Sequence, residues 1–177
     1  MEHVQFSYRP ITLDDVPALL DWYNDTELHR TANSTPFEPY TLDKLLGYWK
    51  KKLIREHCAY YGIWVDGQMV GRVGLKKSPP CLDVVEFSIM IGVGGLRGRG
   101  LGTEITQEMI AVAFAEPKVR IVRLYVRQDN GRAIRCYEKA GYRHVHSFTQ
   151  NGVPTLMMQI DRRDWLGGQV ERAGQAG

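Results

Sequence analysis

The segment 92–102, GVGGLRGRGLG, constrains the fold of this chain more than any other. It contains six glycines and two arginines and no acidic residue. An apolar, strand-like run at 84–91 precedes it, and a helical pattern follows, with Ile105 and Met109 on the apolar stripe. Glycine lets backbone N–H groups approach an anion closely, and a helix N-terminus adds partial positive charge. A strand, a basic glycine loop and a helix in this order predict a binding site for a phosphate-bearing ligand.

The spacing of the glycines excludes two common phosphate-binding loops. The dinucleotide fingerprint is G-x-G-x-x-G, whereas the glycines at 98, 100 and 102 alternate with other residues. A P-loop ends in Gly-Lys-Ser/Thr, and here Gly102 is followed directly by Thr103. The pattern that remains is Arg97-x-x-Gly100-x-Gly102. Taken by itself, this pattern also fits a flexible glycine-rich linker.

A second motif lies downstream, in residues 127–145. Asn130 is typical of a helix N-cap, and Gly141 is typical of the residue that ends a helix. Asn130, Ala133 and Tyr137 are three and four residues apart, so they share one helix face. The small side chain of Ala133 leaves space for a ligand along that face, and Tyr137 presents a phenol to it.

The two motifs together resemble those of the GNAT N-acetyltransferase superfamily. Arg97-x-x-Gly100-x-Gly102 is similar to the family loop that cradles the pyrophosphate of acetyl-coenzyme A. The pattern N-x-x-A-x-x-x-Y-E-K-x-G-Y at 130–142 is similar to a second family signature. The resemblance runs from about residue 6 to residue 165, and the second half carries nearly all of its specificity. The branch that it resembles contains ribosomal-protein, polyamine and aminoglycoside 6′-N-acetyltransferases.

The resemblance implies an acetyl-coenzyme A cofactor and a role for each motif residue. Tyr137 would protonate the leaving thiolate. The implied cofactor contacts are Ile89, Met90 and Ile91 along the pantetheine, Arg97, Gly98, Arg99, Gly100, Leu101, Gly102 and Thr103 at the pyrophosphate, and Asn130 and Ala133 beside the pantetheine arm. Arg127 and Arg132 either bind the cofactor's 3′-phosphate or serve as plain surface residues.

Glu86 is the candidate catalytic base. Alternation along the strand places it on one face with Ser88 and Met90, just before the segment that would bind the pantetheine. The attacking amine must be neutral, so a carboxylate or a chain of waters has to accept its proton. A glutamate that simply faces solvent is the alternative interpretation, and the sequence does not choose between them.

The predicted fold is an α/β (α+β), GNAT-like one. The element order is β-α-α-β-β-β-α-β-α-β-β, in a mixed, mostly antiparallel sheet of six to seven strands with helices on both faces. Asp66-Gly67 and Asn151-Gly152 predict tight hairpins, and 31–39 and the KKSPPC segment at 76–81 predict loops. Residues 1–166 are expected to form a single N-acetyltransferase domain, and residues 167–177 a flexible tail with little to bury.

Length and composition fit one domain of ordinary composition. The 177 residues are 44% hydrophobic and 24% charged, which suffices for a sizeable core. The net charge of +3 comes from dispersed basic residues, which does not favour a nucleic-acid partner. The first residues are not typical of a signal peptide, and no apolar run approaches a membrane span in length. We therefore expect a cytoplasmic monomer or homodimer with no nucleic-acid or membrane partner.

Cysteines and histidines do not indicate a metal site. Cys58, Cys81 and Cys136 are odd in number and widely spaced, which predicts neither a disulfide framework nor a set of zinc ligands. His144 and His146 share a strand face, but the sequence shows no third ligand beside them. We expect no metal.

The predicted acceptor is a small cationic amine, of the aminoglycoside or polyamine type. Acidic residues in the first region and on the fourth strand could attract it, namely Asp21, Asp25, Glu27, Glu38, Asp83 and Glu86. Two alternatives remain open: acetylation of a protein N-terminus or lysine, and a non-catalytic coenzyme A-binding module.

Overall fold

One mixed sheet of seven strands organises the fold. The computed structural model describes residues 4–175, with side chains through residue 168. In chain order the strands are β1 (Ser7–Pro10), β2 (Cys58–Val65), β3 (Gln68–Ser78), β4 (Cys81–Ile91), β5 (Ile121–Arg127), β6 (Arg143–Gln150) and β7 (Val153–Asp161). The helices are α1 (Leu20–Asn24), α2 (Thr26–Ala32), α3 (Leu42–Leu53), α4 (Leu101–Phe114), α5 (Gly131–Ala140) and α6 (Arg162–Gln175), with short 3-10 helices at Leu13–Leu19 and Gly94–Leu96.

The strands lie in the order β1-β2-β3-β4-β5-β7-β6. Within residues 4–175, β4 and β5 form the one parallel pair, and the other neighbours are antiparallel. The β4–β5 pairing joins residues 84–86 to residues 121–123 and ends there, although both strands continue. The two strands therefore separate and leave an opening in the middle of the sheet. The predicted fold class is confirmed.

Two of the hairpins follow directly from their turn residues. Asp66 and Gly67 have φ values of 49° and 75°, and Asn151 and Gly152 have φ values of 48° and 78°. Positive φ at both central residues is the geometry that matches the twist of paired strands, and Asx-Gly supplies it. The predicted loop at 76–81 is wrong, because β3 and β4 run on to a short connection at Pro79-Pro80.

Helices cover both faces of the sheet. On one face, α4 and α5 pack with residues such as Ile105, Met109 and Ala140 against the inward side chains of the central strands. On the other face, the first 3-10 helix and α3 bury Leu19, Trp49 and their neighbours against β2. Each face of the central strands therefore contacts a helical layer, as the sequence predicted.

Three segments differ from the sequence-based prediction. The first predicted helix is a 3-10 helix containing Pro17, which has no N–H to donate to an α-helical ladder. The sequence did not predict α2, whose N-cap Asp25 accepts a hydrogen bond from the N–H of Leu28 at 2.9 Å. Helix α6 includes most of the predicted tail at 167–177. Residues 176 and 177 lie outside the described residues, and the flexibility of the tail stays a prediction.

None of the helices among residues 4–175 has the length and apolar character that crossing a membrane requires.

Candidate functional site

A cleft of about 520 Å³ occupies the opening between β4 and β5. The separated strand ends, the loop at 97–103, one face of α5 and the side of α2 form its walls. The glycine loop lies between β4 and α4, as the strand–loop–helix order of the sequence predicted. The structure brings these predicted cofactor residues to the cleft wall: Ile89, Met90, Ile91, Arg97, Gly98, Gly100, Gly102, Thr103, Asn130 and Ala133.

Two predicted cofactor residues lie elsewhere. Leu101 is 1% exposed and packs in the core, where it begins the apolar stripe of α4. The side chain of Arg99 is exposed to solvent and does not line the cleft. Any contact of these two residues with a ligand in the cleft would have to come from their backbone N–H groups.

The glycine loop forms an anion cradle at the start of α4. Gly98 and Gly100 have φ values of 79° and 90°, a region that favours glycine. In the described part of the chain, the N–H groups of residues 98–102 donate to no backbone carbonyl, whereas that of Thr103 donates to Gly100 at 2.9 Å. Unpaired N–H groups at a helix N-terminus are suited to bind phosphate oxygens.

Arg97 holds the cradle in place. Its Nε donates to the carbonyl of Ile91 at 2.9 Å, and one Nη donates to the carbonyl of Gly92 at 2.9 Å. The loop is thereby folded back onto the end of β4. Trp22 of α1 lies directly against Gly92, where a Cβ atom would meet the indole ring at 2.0 Å. Arg97 therefore shapes the binding loop, which the sequence motif alone did not indicate.

Tyr137 of α5 lines the cleft. Its side chain is 9% exposed and packs edge-on against Phe87 and Tyr142. Its hydroxyl forms no hydrogen bond with the described residues. Burial, and to a smaller extent the neighbouring Cys136, raises the pKa of the phenol above its ordinary value. The group is therefore a protonated donor at neutral pH.

Glu86 is not brought into the cleft. Val85 and Phe87 face the buried side of β4, so Glu86 points to the opposite side. There its Oε1 accepts a hydrogen bond from Nζ of Lys76 at 2.7 Å. It pairs in register with Arg123, at the closed end of the β4–β5 opening. The cleft wall described here contains no carboxylate, and a base role for Glu86 stays a prediction.

Helix α2 supplies a wall of the cleft that sequence reasoning missed. Leu28, Thr31 and Ala32 line the cleft. Asn130 ties this wall to α5, because its Nδ2 donates to the carbonyl of Thr31 at 3.0 Å while its Oδ1 accepts from the N–H of Ala133 at 3.1 Å. The Asp25 N-cap was the available signal for α2, but its contact with the cleft depends on residues about one hundred positions away.

Arg127 strengthens the same link. One Nη donates to the carbonyl of Asn33 at 3.0 Å, and the guanidinium pairs with Asp129 at 2.7 Å. Of the two arginines considered for a 3′-phosphate, Arg127 is thus already engaged. Arg132 lines the cleft together with Arg135 and Lys139 on the same helix, and none of these three forms an ion pair within the described residues.

Cysteines and histidines do not assemble a further site. The cysteines are free thiols, and Cys136 lies in the cleft wall, where its Sγ accepts from Thr103 at 3.5 Å. His144 contacts Ser147 Oγ at 2.9 Å, and His146 stacks on Phe148. Among the described residues, no group of three potential metal ligands is placed to hold an ion.

Known proteins share both the sequence pattern and the architecture. An aminoglycoside N(6′)-acetyltransferase type 1 from Klebsiella pneumoniae is 24% identical over 165 residues, which cover 88% of this chain and 82% of the relative. The crystal structure of aminoglycoside acetyltransferase AAC(6′)-Ib in complex with coenzyme A and kanamycin matches with a TM-score of 0.80 at 21% identity, over 93% of this chain and 99% of the other. A spermidine N-acetyltransferase from Vibrio cholerae, in complex with coenzyme A and spermine, matches with a TM-score of 0.79 at 19% identity, over 92% and 98%.

The acetyltransferase (GNAT) domain family matches residues 6–143, which include the cleft from β4 to α5. This agreement covers well over half of the chain and contains both sequence motifs. The chain therefore belongs to the GNAT family of acyltransferases, which use acetyl-coenzyme A as the acetyl donor.

Proposed function

We propose that this protein transfers the acetyl group of acetyl-coenzyme A directly to a primary amine of a small acceptor, within a complex that holds both substrates. The observation that carries the proposal is the position of Tyr137. Its unpaired hydroxyl faces a cleft that begins at an anion cradle and runs between separated strands. The cleft is thus suited to hold a long phosphate-bearing thioester with its sulfur near a proton donor.

Different residues along the cleft bind different parts of acetyl-coenzyme A. The N–H groups of residues 98–102 bind the pyrophosphate, and residues 89–91 present the edge of β4 to the amides of the pantetheine, as an added strand would. Holding amine and thioester together supplies a large part of the acceleration. The amine nitrogen forms a bond to the carbonyl carbon as the carbon–sulfur bond breaks.

Tyr137 donates its proton to the departing sulfur. Burial raises the pKa of a thiol as it raises that of the phenol, so the transfer does not require an unusually acidic tyrosine. The proton of the amine passes to water, because no described carboxylate lines the cleft, and water returns a proton to the phenolate of Tyr137. The Glu86→Gln variant tests the alternative that Glu86 is the base. If it is, the variant loses the acidic limb in the pH profile of kcat. If Glu86 only pairs with Lys76, the pH profile is unchanged.

Two relatives support a small cationic acceptor, since they are named for an aminoglycoside and for spermidine. The acidic residues predicted to attract such an acceptor are largely engaged in the structure. Asp25 caps α2, and ion pairs hold Glu27 to Arg30 at 2.8 Å, Glu38 to Lys44 at 3.2 Å and Asp83 to Arg120 at 2.5 Å. Support for a cationic acceptor therefore rests on the relatives.

A thiol-release assay with acetyl-coenzyme A tests the proposed function. The panel contains polyamines, aminoglycosides, amino acids and peptides. We expect release with at least one small amine. Release with peptides alone would favour a protein acetyltransferase, and no release with any amine would favour a coenzyme A-binding module without catalysis.

The place of action is proposed to be the cytoplasm, and three free cysteines support a reducing compartment. A monomer or homodimer is expected, which light scattering of the purified protein checks.

A further inference from the structure

The charged residues that line the cleft are basic, which does not suit a substrate with several positive charges. The described wall of the cleft contains no aspartate or glutamate, but it does contain Arg97, Arg127, Arg132, Arg135 and Lys139. The basic residues of α5 lie beside the anion cradle and suit the phosphates of the cofactor. The acceptor must approach from the other side of the sheet, where α1, α2 and α3 lie.

Two arginines lie near the acceptor end of the cleft, although neither lines it. Ser88 and Met90 of β4 and Tyr125 of β5 line this end. Arg72 of β3 pairs in register with Met90, level with the open part of the β4–β5 pair. Arg123 lies two residues before Tyr125 on the same face of β5 and pairs in register with Glu86, where the opening closes.

Neither guanidinium has an anionic partner. Arg72 lies over the rings of Tyr23 and Trp49 at 5.6 and 5.8 Å, and Arg123 lies over Tyr125 at 5.8 Å. The Nε atoms of both arginines are buried without a hydrogen-bond partner, and neither arginine forms an ion pair with the described residues. A buried charged donor without an acceptor is costly, and an anionic ligand group would satisfy it.

Positive charge accumulates on this face of the sheet. Lys52 of α3 lies over the rings of Tyr48, Trp49 and Tyr60 at 4.7–5.0 Å. Burial, together with repulsion from Arg72, Lys76 and Arg55, lowers the pKa of Lys52 to about 7. The carboxylate of Glu86 pairs with Lys76 at 2.7 Å and forms no ion pair with either arginine among the described residues.

We infer that the acceptor carries an anionic group, a carboxylate or a phosphate, a short distance from the amine that is acetylated. This inference rests on the proposed function and narrows its acceptor. The positive charges of Arg72 and Arg123, one on each side of β4, attract the anionic group to this face of the sheet, and the amine enters between β4 and β5 toward the thioester. A second ammonium group in place of the anionic group would be repelled by the two arginines, so polyamines and aminoglycosides are disfavoured.

Matched acceptor pairs test the inference in the thiol-release assay. Lysine and cadaverine differ by one carboxylate, as do ornithine and putrescine, and phosphoethanolamine differs from ethanolamine by one phosphate. We expect kcat/KM to be at least about tenfold higher for the anionic member, because a charged hydrogen bond contributes on that scale. The carboxylate and phosphate pairs show which anion is preferred.

The outcomes separate the inference from the proposed function. Turnover of cadaverine, putrescine, spermidine or kanamycin that equals or exceeds that of the anionic amines would overturn the inference and leave the proposed function standing. No thiol release with any amine would overturn the proposed function, and the inference with it.

Substitutions of the two arginines test whether they cause the preference for anionic acceptors. In Arg123→Gln we expect the lysine-to-cadaverine ratio of kcat/KM to fall about tenfold, with an unchanged KM for acetyl-coenzyme A. Arg123→Lys, which keeps the charge, should restore part of the ratio. The matched control is Arg163→Gln, an exposed arginine on α6 that should alter neither value.

Arg72→Gln is expected to lower the same ratio, but Arg72 packs between aromatic rings, so its thermal unfolding must be measured alongside. If Arg123→Gln folds normally and retains the full ratio, the inference is overturned, whatever the outcome for Arg72→Gln.

Discussion

The two sides of the cleft are built by different means. The cofactor side, from β4 to α5, consists of a loop and two helix N-termini whose shape follows from glycines and a cap within a few residues of one another. The acceptor side, from α1 to α3, is held by ring packing and by hydrogen bonds between residues distant in sequence, such as those that join Asn130 to Thr31 and Arg127 to Asn33. The donor site therefore depends on residues that are close together in the sequence, whereas the acceptor site depends on contacts between distant parts of the chain.

Removing the tyrosine hydroxyl should have the largest effect on the cofactor side. We expect Tyr137→Phe to lower kcat about 100-fold, the scale of general acid catalysis, with little change in either KM. Steady-state kinetics with the best acceptor of the panel measures it. Cys136→Ser, at the neighbouring position, is the control for local packing. Unaltered turnover in Tyr137→Phe would show that another group protonates the sulfur.

A substitution in the anion cradle should have the next largest effect. Gly100 has a φ of 90°, so Gly100→Ala strains the loop at the start of α4. We expect the KM for acetyl-coenzyme A to rise about tenfold. Gly95→Ala is the matched control, because a Cβ there meets nothing within 4 Å and its φ is ordinary. Equal effects of the two substitutions would contradict a specific cradle.

Asn130 joins the two sides, and Asn130→Asp separates its two roles. The carboxylate can still accept from the N–H of Ala133, but it cannot donate to the carbonyl of Thr31. We expect the KM for the acceptor to rise about fivefold, and by more than the KM for acetyl-coenzyme A, because one hydrogen bond to α2 is lost. A change confined to acetyl-coenzyme A would mean that the two sides are not coupled through this residue.

Lys52 tests the acceptor side through stability rather than turnover. Its pKa is about 7 in the folded protein and about 10.4 in an unfolded chain, so between these values the unfolded state binds more protons. The contribution of Lys52 to the free energy of unfolding therefore becomes more favourable as pH rises from 7 to 10. At pH 7, Lys52→Met should raise the free energy of unfolding by about 1 kcal/mol, after allowance for lost ring contacts.

Urea unfolding at pH 7 and pH 9.5 measures this difference, which should shrink at the higher pH. Lys51→Met, on the exposed side of the same helix, is the control. A destabilised Lys52→Met at pH 7 would show that the ring contacts outweigh the cost of burying the charge.

Sequence patterns were informative where structure is local. The Asx-Gly hairpins, the Asn130 cap and the glycine loop were predicted, since each depends on the backbone preferences of adjacent residues. Arg97 was expected to contact the cofactor, yet its guanidinium binds the carbonyls of Ile91 and Gly92, which no motif shows.

Acceptor-side predictions were weaker because they depend on which strands and helices come together. The sequence left Glu86 as either a base or a solvent-facing residue, and its pairing with Lys76 follows from the β3–β4 register. Likewise, α2 is only seven residues long and lacks a strong apolar stripe, so its contact with Asn130 could not be found from the sequence. Arg72 and Arg123 reach the two sides of β4 only through the order of the strands in the sheet.

Amide hydrogen exchange with and without coenzyme A tests whether the cleft between β4 and β5 is the donor site. We expect coenzyme A to slow exchange at residues 98–102, whose N–H groups lack backbone acceptors, and at residues 89–91 along the opening. The amides of α3, on the acceptor side, should exchange at an unchanged rate. Binding of coenzyme A without protection of residues 98–102 would mean that the donor binds elsewhere on the protein.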